Sequence, residues 1–228
     1  MYDYQQALER SRTSLRQRSG WEEIHLAGQQ WVVLPEVFSP AHTNSTRAHL
    51  DLLHGFLRGS FLEIGSGAGV IAVSAAQAGC DPVYATDISA AAVVNSRLNA
   101  ERHGVARQVT CVHGDLFDAL PTGLRFDVVY WHSSNVLTPQ DLQLESVLEL
   151  AYVDPGYQAH QRFIGQARSW LTPSGRALLA VSSRAERPAL DALAAEHGVR
   201  LVSVAARTVP EPEGPVTYEV LELTEVAA

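Results

Sequence analysis

The glycine-rich stretch after Glu63 has the residue types and the spacing to bind a nucleotide-like ligand. Glu63 ends an apolar run, and a helix is predicted at residues 70–78. Between them, three glycines stand at alternate positions, Gly65, Gly67 and Gly69. Glycine has no Cβ, so the backbone of such a loop can approach a ligand closely. The first amides of the helix point at the same place, and we therefore expect a cofactor that contains a nucleoside.

Two further carboxylates follow the next predicted strands. Asp87 comes directly after the strand at residues 82–86 and about 20 residues after the loop, where a carboxylate accepts hydrogen bonds from ribose hydroxyls. An Asp at this place can also cap a helix, a role that Ser89 can take instead. Asp115 follows the strand at residues 108–112. The three acidic side chains are therefore predicted to lie near one edge of a sheet.

A dinucleotide-binding fold is one alternative for the glycine loop. Its fingerprint is G-x-G-x-x-G, whereas here Gly69 comes one position early and Val70 stands where a small residue is needed. Asp87 fits either class of cofactor. The loop by itself leaves both alternatives open.

The elements that would position these residues alternate between strands and helices. Strands are predicted at residues 61–64, 82–86, 108–112, 126–131, 176–181, 199–209 and 217–225, and helices at 45–57, 70–78, 90–103, 158–171 and 187–197. This alternation predicts a parallel sheet with helices on both faces. The gap at residues 210–215 is too short for a helical crossover, so the last two strands must pair antiparallel. We predict a doubly wound α/β fold with a mostly parallel seven-stranded sheet and a C-terminal antiparallel hairpin.

The N-terminal region has a different pattern. A polar amphipathic helix is predicted at residues 4–18 and a short hairpin at residues 23–34. Asn44 or Ser45 is expected to cap the helix that follows. We predict two parts, a helix-and-hairpin cap at residues 1–44 and a cofactor-binding catalytic domain at residues 45–228.

Composition limits the class of protein. The chain has 228 residues, 46% of them hydrophobic and 18% charged, which predicts one globular domain. A net charge of −8 argues against a nucleic-acid partner held by phosphate neutralisation. Cys80 and Cys111 lack CxxC partners, and the histidines have no metal-ligand spacing, so we expect buried thiols and no metal. Neither a signal peptide nor a membrane-spanning run is apparent, and we expect a cytoplasmic protein.

Three further features accompany the loop and its carboxylates. They are the Gly114-Asp115 pair, the buried strand that begins Phe126-Asp127-Val-Val, and the closing hairpin. In order and spacing, the set resembles the class I S-adenosylmethionine-dependent methyltransferases over residues 35–225. The resemblance implies a Rossmann-like fold, methyltransferase activity and S-adenosylmethionine as the cofactor.

The same resemblance implies a role for each cofactor residue. Gly65 and Gly67 approach the methionine and ribose portions, and Glu63 supports the loop on the sulfonium side. Asp87 holds the ribose hydroxyls, and Asp115 accepts a hydrogen bond from the adenine amine. The other implied contacts are Gly69 in the loop, Ile88 and Leu116 on either side of the adenine ring, and Thr43 closing over the cofactor.

Two segments look more closely like the protein-glutamine N5-methyltransferases, residues 33–40 and residues 153–157. That subgroup has an Asn-Pro-Pro-Tyr motif after the fourth strand, which grips a planar amide or nucleobase nitrogen. Here the equivalent residues are His132-Ser-Ser-Asn135. We therefore expect a different acceptor, a nitrogen or oxygen of a small molecule, in a setting such as bacterial secondary metabolism. A protein side chain as acceptor and a cofactor-binding scaffold without methyl transfer are the alternatives.

The acceptor side of the site is predicted from polar residues in two places. One place follows the fourth strand, at residues 126–131, and the other precedes the helix at residues 158–171. His132 titrates in the range that suits a general base, although a hydrogen bond to its own loop is an equal alternative. Asn135 is expected to orient the acceptor, or to serve as a turn residue. Asp154 and Tyr157 are expected to line the acceptor pocket.

Overall fold

The computed structural model describes residues 3–212 and 214–226. Over these residues, the helices are α1 (Tyr4–Gln17), α2 (Ser45–Leu53), α3 (Val70–Gln77), α4 (Ala90–Arg102), α5 (Gln158–Gln166) and α6 (Arg187–Glu196). The strands are β1 (Glu22–Leu26), β2 (Gln29–Val33), β3 (Phe61–Ile64), β4 (Val83–Asp87), β5 (Val109–His113), β6 (Phe126–His132), β7 (Val136–Thr138), β8 (Val153–Pro155), β9 (Leu171–Ser182), β10 (Val199–Val209) and β11 (Val216–Glu225). No described helix is both long and apolar enough to cross a membrane.

The main sheet has seven strands in the order β5-β4-β3-β6-β9-β11-β10. β3 pairs parallel with β4 and β6, while β11 lies antiparallel between β9 and β10. The predicted α/β fold, with its mostly parallel sheet and closing antiparallel hairpin, is therefore confirmed. The carboxyl ends of β3 to β6 meet at one edge, and the predicted site residues follow these ends.

The sheet is covered on both faces, which explains why its parallel strands are continuous apolar runs. Phe61, Val83 and Val128 pack on one face with α3, α4 and the N-terminal hairpin. Leu62 and Val129 pack on the other face with α5 and α6. Alternate residues of one strand thus enter opposite cores, as the pleat requires.

The hairpin β1–β2 is fastened to α4 by two asparagines. Asn95 and Asn99, one helical turn apart, donate their side-chain amides to the Val32 carbonyl at 2.8 and 2.7 Å. Their side-chain oxygens accept from the amides of Leu34 and Val32 at 2.8 and 3.0 Å. Both asparagines are fully buried. The N-terminal hairpin is therefore held on the same helix that borders the glycine loop.

Several predicted boundaries are wrong. Asn44 occupies the N-cap position of α2, one of the two predicted, but its side chain makes no capping hydrogen bond, and the Thr43 Oγ1 accepts the Ser45 amide at 3.1 Å instead. The helix ends at Leu53 and not at residue 57. β9 begins at Leu171, where the sequence predicts the end of a helix, because Leu171 pairs with Phe126 across the sheet. The small parallel pair β7–β8 is absent from the prediction, since three-residue strands leave no readable periodicity.

Candidate active site

A cavity opens at the carboxyl edge of β3, β4 and β6 and runs beneath α1 and residues 147–153. The predicted residues that line it are Thr43, Glu63, Gly65, Gly67, Asp87, Ile88, Asp115, Leu116, His132, Asn135 and Asp154. Two other predicted residues, Gly69 and Tyr157, do not line it. One cavity thus joins the loop side and the acceptor side of the predicted site.

The three glycines have different surroundings. All have positive φ angles, 66° at Gly65, 54° at Gly67 and 79° at Gly69. A Cβ on Gly67 would meet no atom within 4 Å, whereas one on Gly69 would lie 2.8 Å from the Ser96 Cα. Gly67 therefore presents bare backbone to the cavity. Gly69, predicted as a cofactor contact, instead allows the loop to pack against α4.

The two buried carboxylates Glu63 and Asp87 hold the loop. Glu63 accepts the Ala72 amide at 2.8 Å, and burial raises its pKa well above the usual value. Asp87 accepts the Gly67 and Ser89 amides, each at 2.8 Å. Burial raises the pKa of Asp87, while these two amides oppose the shift. Asp87 therefore shapes the glycine loop directly, a contact that its place 20 residues along the chain does not reveal.

Asp115 has a partner that sequence reasoning missed. Arg162 of α5 donates to the Asp115 Oδ2 at 2.5 Å and to the Asp118 Oδ2 at 3.0 Å. These two hydrogen bonds raise the pKa of the guanidinium, the bond to Asp115 having the largest effect. Residue 162 is 47 positions from Asp115, so only the packing of α5 could bring the pair together.

The predicted adenine contacts Ile88 and Leu116 are each fixed through their carbonyl groups. Leu116 has a left-handed φ of 50°, and its carbonyl accepts the Thr86 hydroxyl at 3.0 Å. The Ile88 carbonyl lies 3.0 Å from the His113 Nε2, which donates to it. Ile88 is exposed and Leu116 is buried, and both side chains border the cavity.

His132 ends β6 and packs against a second histidine that sequence reasoning did not place here. The ring centroids of His132 and His49 are 4.3 Å apart. Among the described residues, no group hydrogen-bonds to the His132 ring, so its nitrogens are left to the cavity. Burial lowers the pKa of His132 well below its usual value, and His49 adds to the shift. His132 is therefore an uncharged hydrogen-bond acceptor at neutral pH.

Asn135 and Tyr157 are occupied by backbone contacts. The Asn135 Oδ1 accepts the Ser182 amide at 2.5 Å, and its Nδ2 donates to the Ser133 carbonyl at 3.4 Å. The Tyr157 hydroxyl donates to the Asn135 carbonyl at 2.8 Å and accepts the Glu186 amide at 2.9 Å. Both residues thus brace the loop after β6. The placement of Tyr157 in the acceptor pocket is not what the structure shows.

Asp154 borders the cavity, but its carboxylate serves α5. Its Oδ1 accepts the Ala159 amide at 3.2 Å, and its Oδ2 accepts the His160 amide at 3.0 Å and the His160 Nδ1–H at 2.6 Å. An Asp before a helix often accepts from the first amides in this way. Asp154 therefore forms part of the cavity wall, while both oxygens of its carboxylate already accept hydrogen bonds from α5.

The N-terminal helix closes the acceptor side through an ion pair. Arg12 of α1 donates to the Glu149 Oε1 at 2.9 Å and contacts the Glu145 carboxylate at 2.9 Å. Glu149 is fully buried and also accepts the Glu145 amide at 2.6 Å. α1 is thereby attached to the short 3-10 helix Val147–Ala151, whose residues line the cavity.

The sequence is similar to that of known methyltransferases. Residues 61–152 match a family described as a methyltransferase domain. The release factor glutamine methyltransferase of Bordetella pertussis is 33% identical, with 65% of this chain and 57% of the relative covered. The ribosomal protein uL3 glutamine methyltransferase of Burkholderia pseudomallei is 32% identical, with 64% and 50% covered. The chain thus spans 57% and 50% of the length of these two relatives.

Solved structures share the fold at low sequence identity. The ribosomal protein L11 methylase of Lactobacillus delbrueckii aligns with a TM-score of 0.59 at 16% identity, covering 90% of this chain and 100% of that chain. A 16S rRNA methyltransferase of T. Thermophilus, solved with AdoMet and guanosine, aligns with a TM-score of 0.58 at 21% identity, covering 92% and 52%.

These comparisons correct the predicted partner. The expectation of a small-molecule acceptor in secondary metabolism is wrong, because the relatives are named for a release factor and for a ribosomal protein, which are macromolecules. That expectation rested on the absence of Asn-Pro-Pro-Tyr, which concerns how an acceptor group is gripped and not the size of the molecule that carries it. The match to a methyltransferase domain and the structural neighbour solved with AdoMet support S-adenosylmethionine as the cofactor, as predicted. The domain match and these relatives support the identification of the chain as a class I S-adenosylmethionine-dependent methyltransferase.

Proposed function

We propose that this protein transfers the methyl group of S-adenosylmethionine to a side-chain nitrogen of a protein. The observation that carries the proposal is that Gly67, Asp87 and Asp115 line the same cavity as His132. Among the described residues, none hydrogen-bonds to the His132 ring. The choice of a protein acceptor is supported by the relatives named for a release factor and for ribosomal proteins uL3 and L11. The predicted cytoplasmic location is part of the same proposal.

The residues on the loop side fit the cofactor chemically. Backbone at Gly65 and Gly67 has positive φ, and the space beside Gly67 has no obstructing atom. Asp87 uses its carboxylate for two amides, and a carboxylate has about four acceptor positions, so capacity remains for ribose hydroxyls. Asp115 has one oxygen on Arg162 and the other available to the adenine amine.

On the acceptor side, His132 is the group that handles the proton. When bound, S-adenosylmethionine supplies an activated methyl group on a sulfonium. His132 accepts a hydrogen bond from the acceptor N–H and takes the proton that the nitrogen loses as it becomes methylated. Its lowered pKa keeps the ring neutral and ready to accept. Asn135 and Tyr157 hold the loop after β6, next to His132. α1 covers the acceptor side of the cavity and excludes water from it.

The test is methylation with methyl-labelled S-adenosylmethionine and purified release factor, ribosomal protein uL3 and ribosomal protein L11 as acceptors. We expect label in protein that resists ribonuclease and is removed by protease. Asp87→Ala should abolish labelling together with binding of S-adenosylhomocysteine. His132→Gln should reduce labelling while leaving that binding intact. Label that is removed by ribonuclease would replace the protein acceptor with RNA, and no labelling of any of the three acceptors would contradict the proposed substrates.

A further inference from the structure

Arg162 contacts Asp115, the carboxylate that the proposed function assigns to the adenine amine. Arg162 lies on α5, and two different nitrogens of its guanidinium group donate to Asp115 and to Asp118. Asp115 lines the cavity, whereas Asp118 and Arg162 do not. Among the described residues, Asp115 Oδ2 is held by Arg162 and Oδ1 has no hydrogen-bond partner.

The backbone around Asp115 is fixed without Arg162. The Gly114 amide donates to the Asp87 carbonyl at 2.9 Å, and the Asp118 amide donates to the Asp115 carbonyl at 3.0 Å. The Leu116 carbonyl accepts the Thr86 hydroxyl at 3.0 Å. The loop is therefore held from both sides, and what remains free is the rotamer of Asp115. The Asp115 carboxylate is held by its ion pair with Arg162.

We propose that Arg162 is a positioning residue that makes the site selective for a purine with a 6-amino group. This inference rests on the proposed cofactor role of Asp115. By holding Oδ2, Arg162 leaves Oδ1 as the oxygen that faces the cavity. A guanidinium partner also favours the ionised carboxylate, which accepts hydrogen bonds and cannot donate them. Such an oxygen favours an amino group and repels a 6-oxo group.

The experiment compares two ligands that differ at the 6-position of the purine and, as a consequence, in the proton that the 6-oxo purine carries on N1. They are S-adenosylhomocysteine and S-inosylhomocysteine, in which an oxo group replaces the 6-amino group, and the measurement is calorimetric affinity. We expect the wild-type protein to prefer the amino ligand by about 10- to 100-fold, the range for one hydrogen bond to a charged group. Arg162→Met should remove most of that preference, chiefly by weakening the amino ligand.

Arg168 provides a matched control. It follows α5 in the chain, is 36% exposed like Arg162, and pairs with the Glu225 carboxylate at 2.5 Å, outside the cavity lining. Arg168→Met should keep the full preference. Arg162→Lys keeps the charge but cannot bridge both acids, so an intermediate preference is expected, and this variant serves if the methionine variant does not fold. Asp115→Ala should abolish the preference, with no further loss when combined with Arg162→Met.

Two results would overturn the inference: Arg162→Met with the wild-type preference, or with equal weakening of both ligands, which is the pattern of a purely structural role. Neither ligand carries a transferable methyl group, so a failure of protein methylation leaves this result standing. A wild-type protein that binds neither ligand would overturn both this inference and the proposed function.

Discussion

The ring of His49 packs against the ring of His132 at an interplanar angle of 63°, with the centroids 4.3 Å apart. His49 lies on α2 and is fully buried, and its Nε2–H donates to the Val181 carbonyl at 3.2 Å. Its Nδ1 is buried without a partner among the described atoms. Two neutral imidazoles thus lie side by side, and protonation of either would place a charge in an environment that cannot solvate it.

The first prediction is that His49 destabilises the protein in acid. Burial lowers the pKa of His49 from 6.5 to about 4. Between pH 6.5 and about pH 4, His49 is therefore protonated in the unfolded chain and neutral in the folded protein. Stability contributed by neutral His49 is present above pH 6.5 and is lost progressively as the pH falls to about 4. The full loss is about 3 kcal/mol.

Urea unfolding at pH 7 and at pH 4.5 measures this loss. His49→Phe should reduce the acid destabilisation, and His54→Gln, at an exposed histidine of the same region, should leave it unchanged. Equal acid sensitivity in His49→Phe and the wild type would contradict the assignment.

The second prediction concerns catalysis by His132. Removing a general base typically costs 10²- to 10⁴-fold in rate, and we expect about 10²-fold for His132→Gln because a depressed pKa makes a weak base. The rate should be nearly independent of pH between about 6.5 and 8, since His132 is already neutral there. Initial rates and the affinity for S-adenosylhomocysteine test this together. An unchanged rate would show that proximity alone suffices for transfer.

The third prediction separates two glycines of one loop. A left-handed residue with a Cβ costs about 1–2 kcal/mol at either position. Gly69→Ala adds a clash with the Ser96 backbone at 2.8 Å, for a total of about 2–5 kcal/mol. Gly67→Ala meets no protein atom, so its main effect should be weaker binding of S-adenosylhomocysteine. Thermal unfolding and calorimetry on the pair check both statements, and a Gly67→Ala variant that binds normally would exclude close approach there.

The fourth prediction concerns the attachment of α1. Arg12→Met leaves the fully buried Glu149 without its ion-pair partner, so the thermal midpoint should fall. Arg16→Met on the same helix breaks an ion pair with Glu9 in which both side chains are 62% exposed, together with an exposed hydrogen bond to Thr13, and should have no measurable effect. Differential scanning fluorimetry compares the two variants. Equal midpoints would show that the ion pair does not hold the helix.

The glycine loop, Asp87 and Asp115 could be read from the sequence because their chemistry is local. Each follows a strong apolar run within a few residues, and parallel strands deliver their carboxyl ends to one edge. The sequence gives a weaker signal for the roles of Asn95 and Asn99 of α4. Two poor helix formers one turn apart signal a side-chain role, which the structure shows to be the fastening of β2.

Residue type does not reveal which polar atoms are already in use, which is why the predicted place of Tyr157 in the pocket is wrong and the acceptor role of Asn135 stays a prediction. Tyr157 and Asn135 have the chemistry of pocket residues, yet their hydroxyl and amide groups bond to backbone far along the chain. The absence of an Asn-Pro-Pro-Tyr motif, likewise, did not report on whether the acceptor is large or small.

The sequence by itself determined the alternation of strands and helices in the main sheet, the antiparallel C-terminal hairpin and the glycine loop, since these follow from periodicity, crossover length and glycine spacing. Only the tertiary structure decided the partners: Arg162 on Asp115, His49 against His132, and Arg12 on Glu149. Each pair joins residues far apart in the chain, and no local pattern specifies which side chain packing will place opposite another. The electrostatics of the site follow from those pairs, because burial and partners, more than residue type, set the pKa of a side chain.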